Sequence, residues 1–185
     1  MKVEALAVPE VIRLEPPRMG DSRGWFSEVF NADRMAAVGI DGPFVQDNQS
    51  FSAAIGTLRG LHCQIGANVQ GKLVRVLRGA IWDVAVDVRH GSPTFAQHAA
   101  AVLSAEHGAQ LWIPRGFLHG FVTLEPDTEV LYKVTAPYDR AAERGVTWND
   151  PDLALPWPID ADAVALSDKD LRLPRLSECE EWFRA

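Results

Sequence analysis

Two segments place histidine where it can move a proton. Gly56-Thr57-Leu58-Arg59-Gly60-Leu61-His62-Cys63-Gln64 carries one imidazole. Gly108-Ala109-Gln110-Leu111-Trp112-Ile113-Pro114-Arg115-Gly116-Phe117-Leu118-His119 carries the other. Imidazole has an ordinary pKa of about 6.5, close to neutrality, so it serves as base, acid or metal ligand. A lone histidine in an apolar strand is more often structural. His62 is not alone: a strand-and-turn reading gathers Arg59, Gln64, Lys72 and His119 near one cavity. Burying that many polar groups without a ligand is costly. His90 and His98 lack such company and read as surface or edge residues, and His107 reads as part of a turn.

These histidines need a rigid frame, and the middle of the chain supplies short β-rich runs. Leu73–Leu77, Ile81–Val88, Ala99–Leu103, Gln110–Ile113, Gly120–Leu124 and Glu129–Val134 read as strands, with Gly79 in a hairpin turn between the first two. Strands at this spacing predict an antiparallel sandwich or barrel. Two short helices are expected. Asn31 caps one over Ala32 to Val38, ended by Gly39. Ser177 with Glu180 matches a capping box for the other. The stretch from Asn149 to Pro158 reads as an ordered loop, because Leu153, Leu155 and Trp157 give it something to pack.

The 185 residues are read as one domain, 1–185, long enough to bury a core. A formal net charge of −7 argues against a nucleic-acid scaffold or an anionic membrane as partner, although a local Lys and Arg cluster still suits one anionic ligand. Cys63 and Cys179 form no disulfide framework, and the N-terminus has no long apolar run. A cytoplasmic protein is therefore expected.

The second histidine segment has the spacing G-x5-P-x-G-x2-H and resembles the second motif of the cupin superfamily. The first resembles the first cupin motif, G-x5-H-x-H, but ends H-x-Q at Gln64, and no Glu follows within five residues. The resemblance implies an all-β cupin double-stranded β-helix, a jelly-roll barrel, with a few short peripheral helices. It also implies a dismantled metal site, since a catalytic metal usually takes about three protein ligands. His62 and His119 are then free for acid/base work or hydrogen bonding.

A longer series appears in order: Asp21–Glu28, Gln46–Ser50, Arg59–Gln64, Lys72–Val74, Asp83–Arg89, Ile113–Phe121, Tyr132-Lys133, Trp148–Pro151, Trp157-Pro158 and Ser167–Asp170. It resembles the dTDP-4-dehydrorhamnose 3,5-epimerase family over most of the chain. The resemblance implies a cofactor-independent epimerase with no metal. It would invert C3 and C5 of dTDP-4-dehydro-6-deoxy-glucose, whose C4 ketone acidifies the neighbouring protons. A homodimer that exchanges N-terminal strands is also implied.

Carried over residue by residue, the resemblance makes His62 the base and Asp170 its carboxylate partner. Asp170 is preferred over Asp168 because it falls on the Lys-Asp of the motif. Lys72 faces the enolate oxygen, and Tyr132 is the acid on the other side. Arg23, Glu28, Gln46, Asn48, Arg59, Lys72, His119, Glu143 and Lys169 match substrate-binding positions, with Arg and Lys suited to the diphosphate. Phe26 is suited either to stacking on the base or to apolar packing. Cys63 and Gly66-Ala67 depart from the family pattern just past the base, which leaves the choice of epimerised centre open. The alternatives are a 3- or 5-monoepimerase on a related nucleotide sugar, a metal-dependent cupin oxygenase and a non-catalytic sugar-binding cupin.

Overall fold

The computed structural model describes residues 1–40 and 42–185. In chain order the elements are β1 (Lys2–Ala5), β2 (Ile12–Glu15), β3 (Met19–Asp21), β4 (Gly24–Phe26), α1 (Ala32–Ala36), β5 (Gln46–Ser52), β6 (Leu58–Gln64) and β7 (Lys72–Arg78). There follow β8 (Ala80–Asp87), β9 (Arg89–His90), β10 (His98–Ser104), β11 (Gln110–Ile113), β12 (Phe117–Thr123), β13 (Thr128–Val134), β14 (Glu143–Gly145) and β15 (Phe183–Arg184). Two antiparallel sheets face each other. One runs β1-β2-β11-β7-β13-β5 and the other β10-β8-β12-β6-β14. This is the all-β cupin sandwich expected, with only short helical turns around it.

Strand alternation explains the layers. On β7, Val74 and Val76 point between the sheets with Lys72, while Leu73 points outward. Val74 and Val76 join Ile81, Ala85, Leu103, Leu111, Phe117, Phe121 and Val130 in the inter-sheet core. Every residue of β12 is buried, because its outer face is covered too. Leu118, Val84 and Val86 pack there under Leu153, Leu155, Trp157 and Trp182, so the Asn149–Pro158 loop is ordered for the reason expected. On the outer face of the other sheet, Leu73 and Trp112 are covered by Phe30, Met35, Ile40 and Phe44.

Three local expectations change. Gly79 (φ 75°) is not in a hairpin, because β7 and β8 belong to different sheets. It turns the corner between them, and two adjacent runs of strand character cannot reveal that they pair elsewhere. The helix begins as expected, with Asn31 Oδ1 accepting from Arg34 N at 3.1 Å, but ends at Ala36. Beyond it the chain tightens, with the Met35 carbonyl accepting from both Val38 N and Ile40 N around Gly39 (φ 81°). The Ser177/Glu180 box forms no α-helix. A 3₁₀ turn over Leu176–Glu178 stands there, with Glu178 accepting from Arg175 N at 3.0 Å. Extended backbone after it lets Trp182 and Phe183 reach the apolar cluster and pairs β15 parallel with β9. Burial of two aromatic rings there overrides a local capping preference.

Candidate active site

A cavity of about 510 Å³ opens between the sheets, lined among others by Arg59, His62, Lys72, His119, Tyr132 and Glu143. Its walls are chemically distinct. His62 and His119 come from the five-stranded sheet, where they are direct register partners across β6 and β12. Lys72 and Tyr132 come from neighbouring strands of the six-stranded sheet, where Tyr132 pairs with Val74 and Val134 with Lys72.

Arg59 and His62 are three residues apart, which in a regular strand puts them on opposite faces. Both line the cavity because the pairing of β6 with β12 shifts register. Arg59 opposes Phe121 and His62 opposes His119, so β6 uses one residue more than its partner. The bulge depends on Gly60. Its φ is 121°, and an added Cβ would lie 2.6 Å from the Gly120 Cα.

Asp170 lies 108 positions from His62, yet its Oδ1 is 2.6 Å from the His62 Nε2. The segment that carries it is tied down at both ends. Leu58 N donates to Ala165 O at 2.9 Å, and Thr147 N donates to Pro174 O at 2.8 Å. Close approach at the first tie requires Gly56 (φ 80°), where a Cβ would meet the Ala163 carbonyl at 2.3 Å. The Ser167 hydroxyl accepts from Asp170 N at 3.2 Å. Burial disfavours the Asp170 charge. Its hydrogen bond to His62 and the charge of that imidazole outweigh burial and hold the carboxyl below its usual range.

Lys72 is buried. Desolvation pushes its ammonium pKa down, further than the opposing pulls of Cys63, Asp83 and Glu143 restore it. Burial pushes the Tyr132 phenol up, so it carries its proton at neutral pH. His119 is buried with its Nε2 2.6 Å from the Asp83 Oδ1, and burial pushes its pKa down against the pull of that carboxylate. At the mouth, Lys169 Nζ donates to Glu143 at 2.7 Å, and the Tyr138 hydroxyl donates to the same carboxylate at 3.2 Å. Arg59 donates to Phe51 O at 3.1 Å and to the Ser52 hydroxyl at 3.3 Å.

The cavity thus gathers His62, Asp170, Lys72, Tyr132, Arg59, His119, Glu143 and Lys169 from the sequence expectations. Arg23, Glu28, Gln46 and Asn48 are not among its lining residues. Arg23 sits on the exposed β3–β4 hairpin, paired with Asp21. Glu28 pairs with Arg34 at 3.1 Å. Gln46 donates to Asn48 at 2.7 Å and accepts from Tyr138 N at 3.0 Å, so the two support the rim that carries Tyr138. Gln64 turns away from the cavity. Its amide donates to Asn68 O and Pro137 O and its Oε1 accepts from Asp139 N, bracing a loop.

Sequence reasoning missed Tyr138, Ser50, Ser167 and Asp83. Tyr138 lies in no patterned run, and Asp83 was read as part of a strand and of the family series, with no role at the site. Cys63 faces the outer apolar cluster, where burial pushes its thiol up to about 12, and Gly66-Ala67 lie in a 3₁₀ turn. Neither departure lines the cavity. Among the described residues no group of three His, Cys, Asp or Glu side chains is placed to hold a metal, and no helix is long and apolar enough to cross a membrane.

A His–Asp pair on one wall, facing a protonated phenol and a buried ammonium on the other, defines a cupin-type proton-transfer enzyme. Residues 5–178 match the family model described as dTDP-4-dehydrorhamnose 3,5-epimerase. The dTDP-4-dehydrorhamnose 3,5-epimerase of Sinorhizobium fredii is 51% identical over 184 residues, covering 100% of this chain and 94% of that protein. A Legionella pneumophila structure of dTDP-6-deoxy-D-glucose-3,5-epimerase, in complex with dTDP-4-keto-L-rhamnose, superposes with a TM-score of 0.94. It is 42% identical and covers 100% of this chain and 98% of that one. More distant is ChmJ, a 3'-monoepimerase from Streptomyces bikiniensis in complex with dTDP-quinovose, at 35% identity and a TM-score of 0.85, covering 93% of this chain and 86% of that one. The chain belongs to the dTDP-4-dehydrorhamnose 3,5-epimerase family.

Proposed function

We propose that this protein epimerises C3 and C5 of dTDP-4-dehydro-6-deoxy-glucose to give dTDP-4-dehydro-L-rhamnose, without a cofactor. The observation that carries the reading is the His62–Asp170 pair on one wall of a cavity whose other wall presents Tyr132 and Lys72. Inversion next to a ketone needs a base on one face of the sugar, an acid on the opposite face and a donor for the enolate oxygen.

The roles follow from the atoms each residue has free. Asp170 engages Nε2 of His62, which leaves Nδ1 as the nitrogen with an open lone pair. That nitrogen takes the proton from carbon next to C4, and the C–H electrons move into the C4 carbonyl to give an enolate. Balancing the new charge falls to the Lys72 ammonium. Tyr132 then gives its phenolic proton to the opposite face of the same carbon. Imidazolium and phenolate reset by exchange with water. Repetition at the second carbon completes the double inversion.

The diphosphate is assigned to Arg59 and Lys169, which with Lys72 are the Lys and Arg side chains that line the cavity. Tyr138, with its ring exposed at the mouth, offers a flat apolar face for the base. A homodimer is part of the reading. Arg23 stands on a hairpin that exposes Met19, Trp25 and Phe26, away from its own cavity, so a second copy is the natural recipient. The outer face of the six-stranded sheet also leaves Phe51 and Leu77 uncovered. The two free thiols fit a reducing cytoplasm. The monoepimerase alternative has no observation in its favour, because the departures beside His62 lie outside the cavity.

The test is incubation with dTDP-4-keto-6-deoxy-glucose in deuterated water, followed by NMR. Deuterium at both C3 and C5 is the expected result. Label at one carbon only would make it a monoepimerase, and label at neither would end the enzyme reading.

A further inference from the structure

Asp83 is a fully buried carboxylate with half of its accepting capacity unused. Its Oδ1 meets the His119 Nε2 at 2.6 Å, and its Oδ2 has no partner among the described residues. Its neighbours in register are Phe121 on β12 and Ala101 on β10, which bring no side-chain donor. An uncompensated carboxylate in such surroundings is expensive, and Lys72 on the facing sheet feels its charge. Ile81, Asp83 and Ala85 share the inward face of β8, and Lys72, Val74 and Val76 share the inward face of β7. Lys72 is the buried cation on that side.

We propose that Asp83 is a positioning residue of the epimerisation. Lodged behind His119, it fixes the imidazole with its hydrogen on Nε2 and supplies the buried negative charge that keeps the Lys72 ammonium protonated before the enolate forms. The second half of this inference rests on the reading that Lys72 faces the enolate.

The other charges around Lys72 do not do this. A Cys63 thiolate on β6 would pull the Lys72 pKa up, but that thiol is pushed up to about 12 by burial and stays neutral in the working range. Glu143 of β14 is engaged by Lys169 and Tyr138 at the mouth. Lys169 repels Lys72. His119 of β12 is driven towards its neutral form first by its own burial and further by Lys72. Asp83 is left as the committed counter-charge. The cavity then holds Lys72 opposite a neutral His119, whose Nδ1 is left as an acceptor for a sugar hydroxyl.

The experiment is the pH profile of kcat for the wild type, Asp83→Asn, Asp83→Glu and His119→Gln. Asp83→Asn should displace the alkaline limb to lower pH by about one unit, a ~10-fold change in the Lys72 protonation equilibrium. KM should stay nearly constant. Asp83→Glu, which keeps the charge, should restore the limb. His119→Gln, which leaves the carboxylate in place, should not lower it. A wild-type limb in Asp83→Asn, or an equal displacement in His119→Gln, overturns the proposal. The Lys72 ζ-¹⁵N resonance in the wild type decides the matter should Asp83→Asn fail to fold. An ammonium that stays protonated across the pH range in which kcat is full is expected, and a neutral Lys72 amine within that range overturns the proposal. Full activity in Lys72→Met would refute the enolate role of Lys72, while the wild-type resonance still reports whether the Lys72 ammonium keeps its proton.

Discussion

Replacing Asp170 by Asn changes one atom at the centre of the proposed chemistry. The carboxylate is buried, 2.6 Å from the His62 Nε2, and its amide is held by Ser167. Asn fits the same space, so the fold should persist. What is lost is the negative charge that stabilises the imidazolium created when His62 takes a proton. A hydrogen bond to a charged group is worth about 1.5–3 kcal/mol, and each 1.36 kcal/mol is tenfold in rate. The loss falls on the step that makes the imidazolium, so kcat should drop by roughly 10- to 150-fold with KM little changed. Asn also offers Nε2 an amide hydrogen in one orientation, which favours the wrong tautomer and pushes the loss towards the upper end. Steady-state kinetics coupled to NMR detection of deuterium at C3 and C5 reads both inversion and exchange. A kcat within threefold of wild type, in a variant with unchanged thermal unfolding, would refute the dyad.

Other outcomes follow from the same geometry. His62→Ala should lose exchange and turnover by orders of magnitude while dTDP binding, measured by calorimetry, survives; near-normal turnover would remove His62 as the base. Tyr132→Phe should separate two readouts, because His62 can return the proton it took. Deuterium should still enter C3 and C5 while inversion collapses, and continued inversion would acquit Tyr132 as the acid. Asp87 is buried, which opposes its charge, but bonds from Arg89, Ser92 and Thr94 hold its pKa at about 2. A carboxyl depressed in the folded state contributes stability that is full above its unfolded pKa of about 3.9 and is lost as pH falls towards 2. Asp87→Asn should therefore flatten the acid limb of a urea-unfolding series between about pH 5 and 2, and an unchanged limb would contradict this.

The chain's local chemistry was legible where it depends on neighbours in sequence. The alternation of Lys72, Val74 and Val76 with Leu73 follows from the two-residue period of a strand, and it predicts both the core and the inward Lys72. The Asn31 cap was legible because a cap bonds only three residues ahead. The Gly79 corner was not, since a glycine turn looks the same whether the flanking strands pair with each other or with strands of opposite sheets. The Ser177/Glu180 signal failed because Trp182 and Phe183 found a larger apolar surface than a short helix would give them. At the site, Gln64 carried the right residue type but braces a loop instead of facing the cavity. Tyr138 bore no motif at all.

What the sequence by itself determined is the set of reactive groups and the strands that carry most of them. His62, Lys72, Tyr132 and Asp170 were identifiable from residue type, order and family resemblance. Only the tertiary structure decided how they meet. The bulge at Gly60 turns Arg59 and His62 to one face, the tie at Gly56 brings Asp170 across 108 positions, and the two sheets set His62 and Tyr132 on opposite walls. The same folding drives Asp83 in behind His119. Residue type and strand period are local properties. Register shifts and sheet-to-sheet contacts come from which distant backbone pairs, and no window of sequence contains both partners.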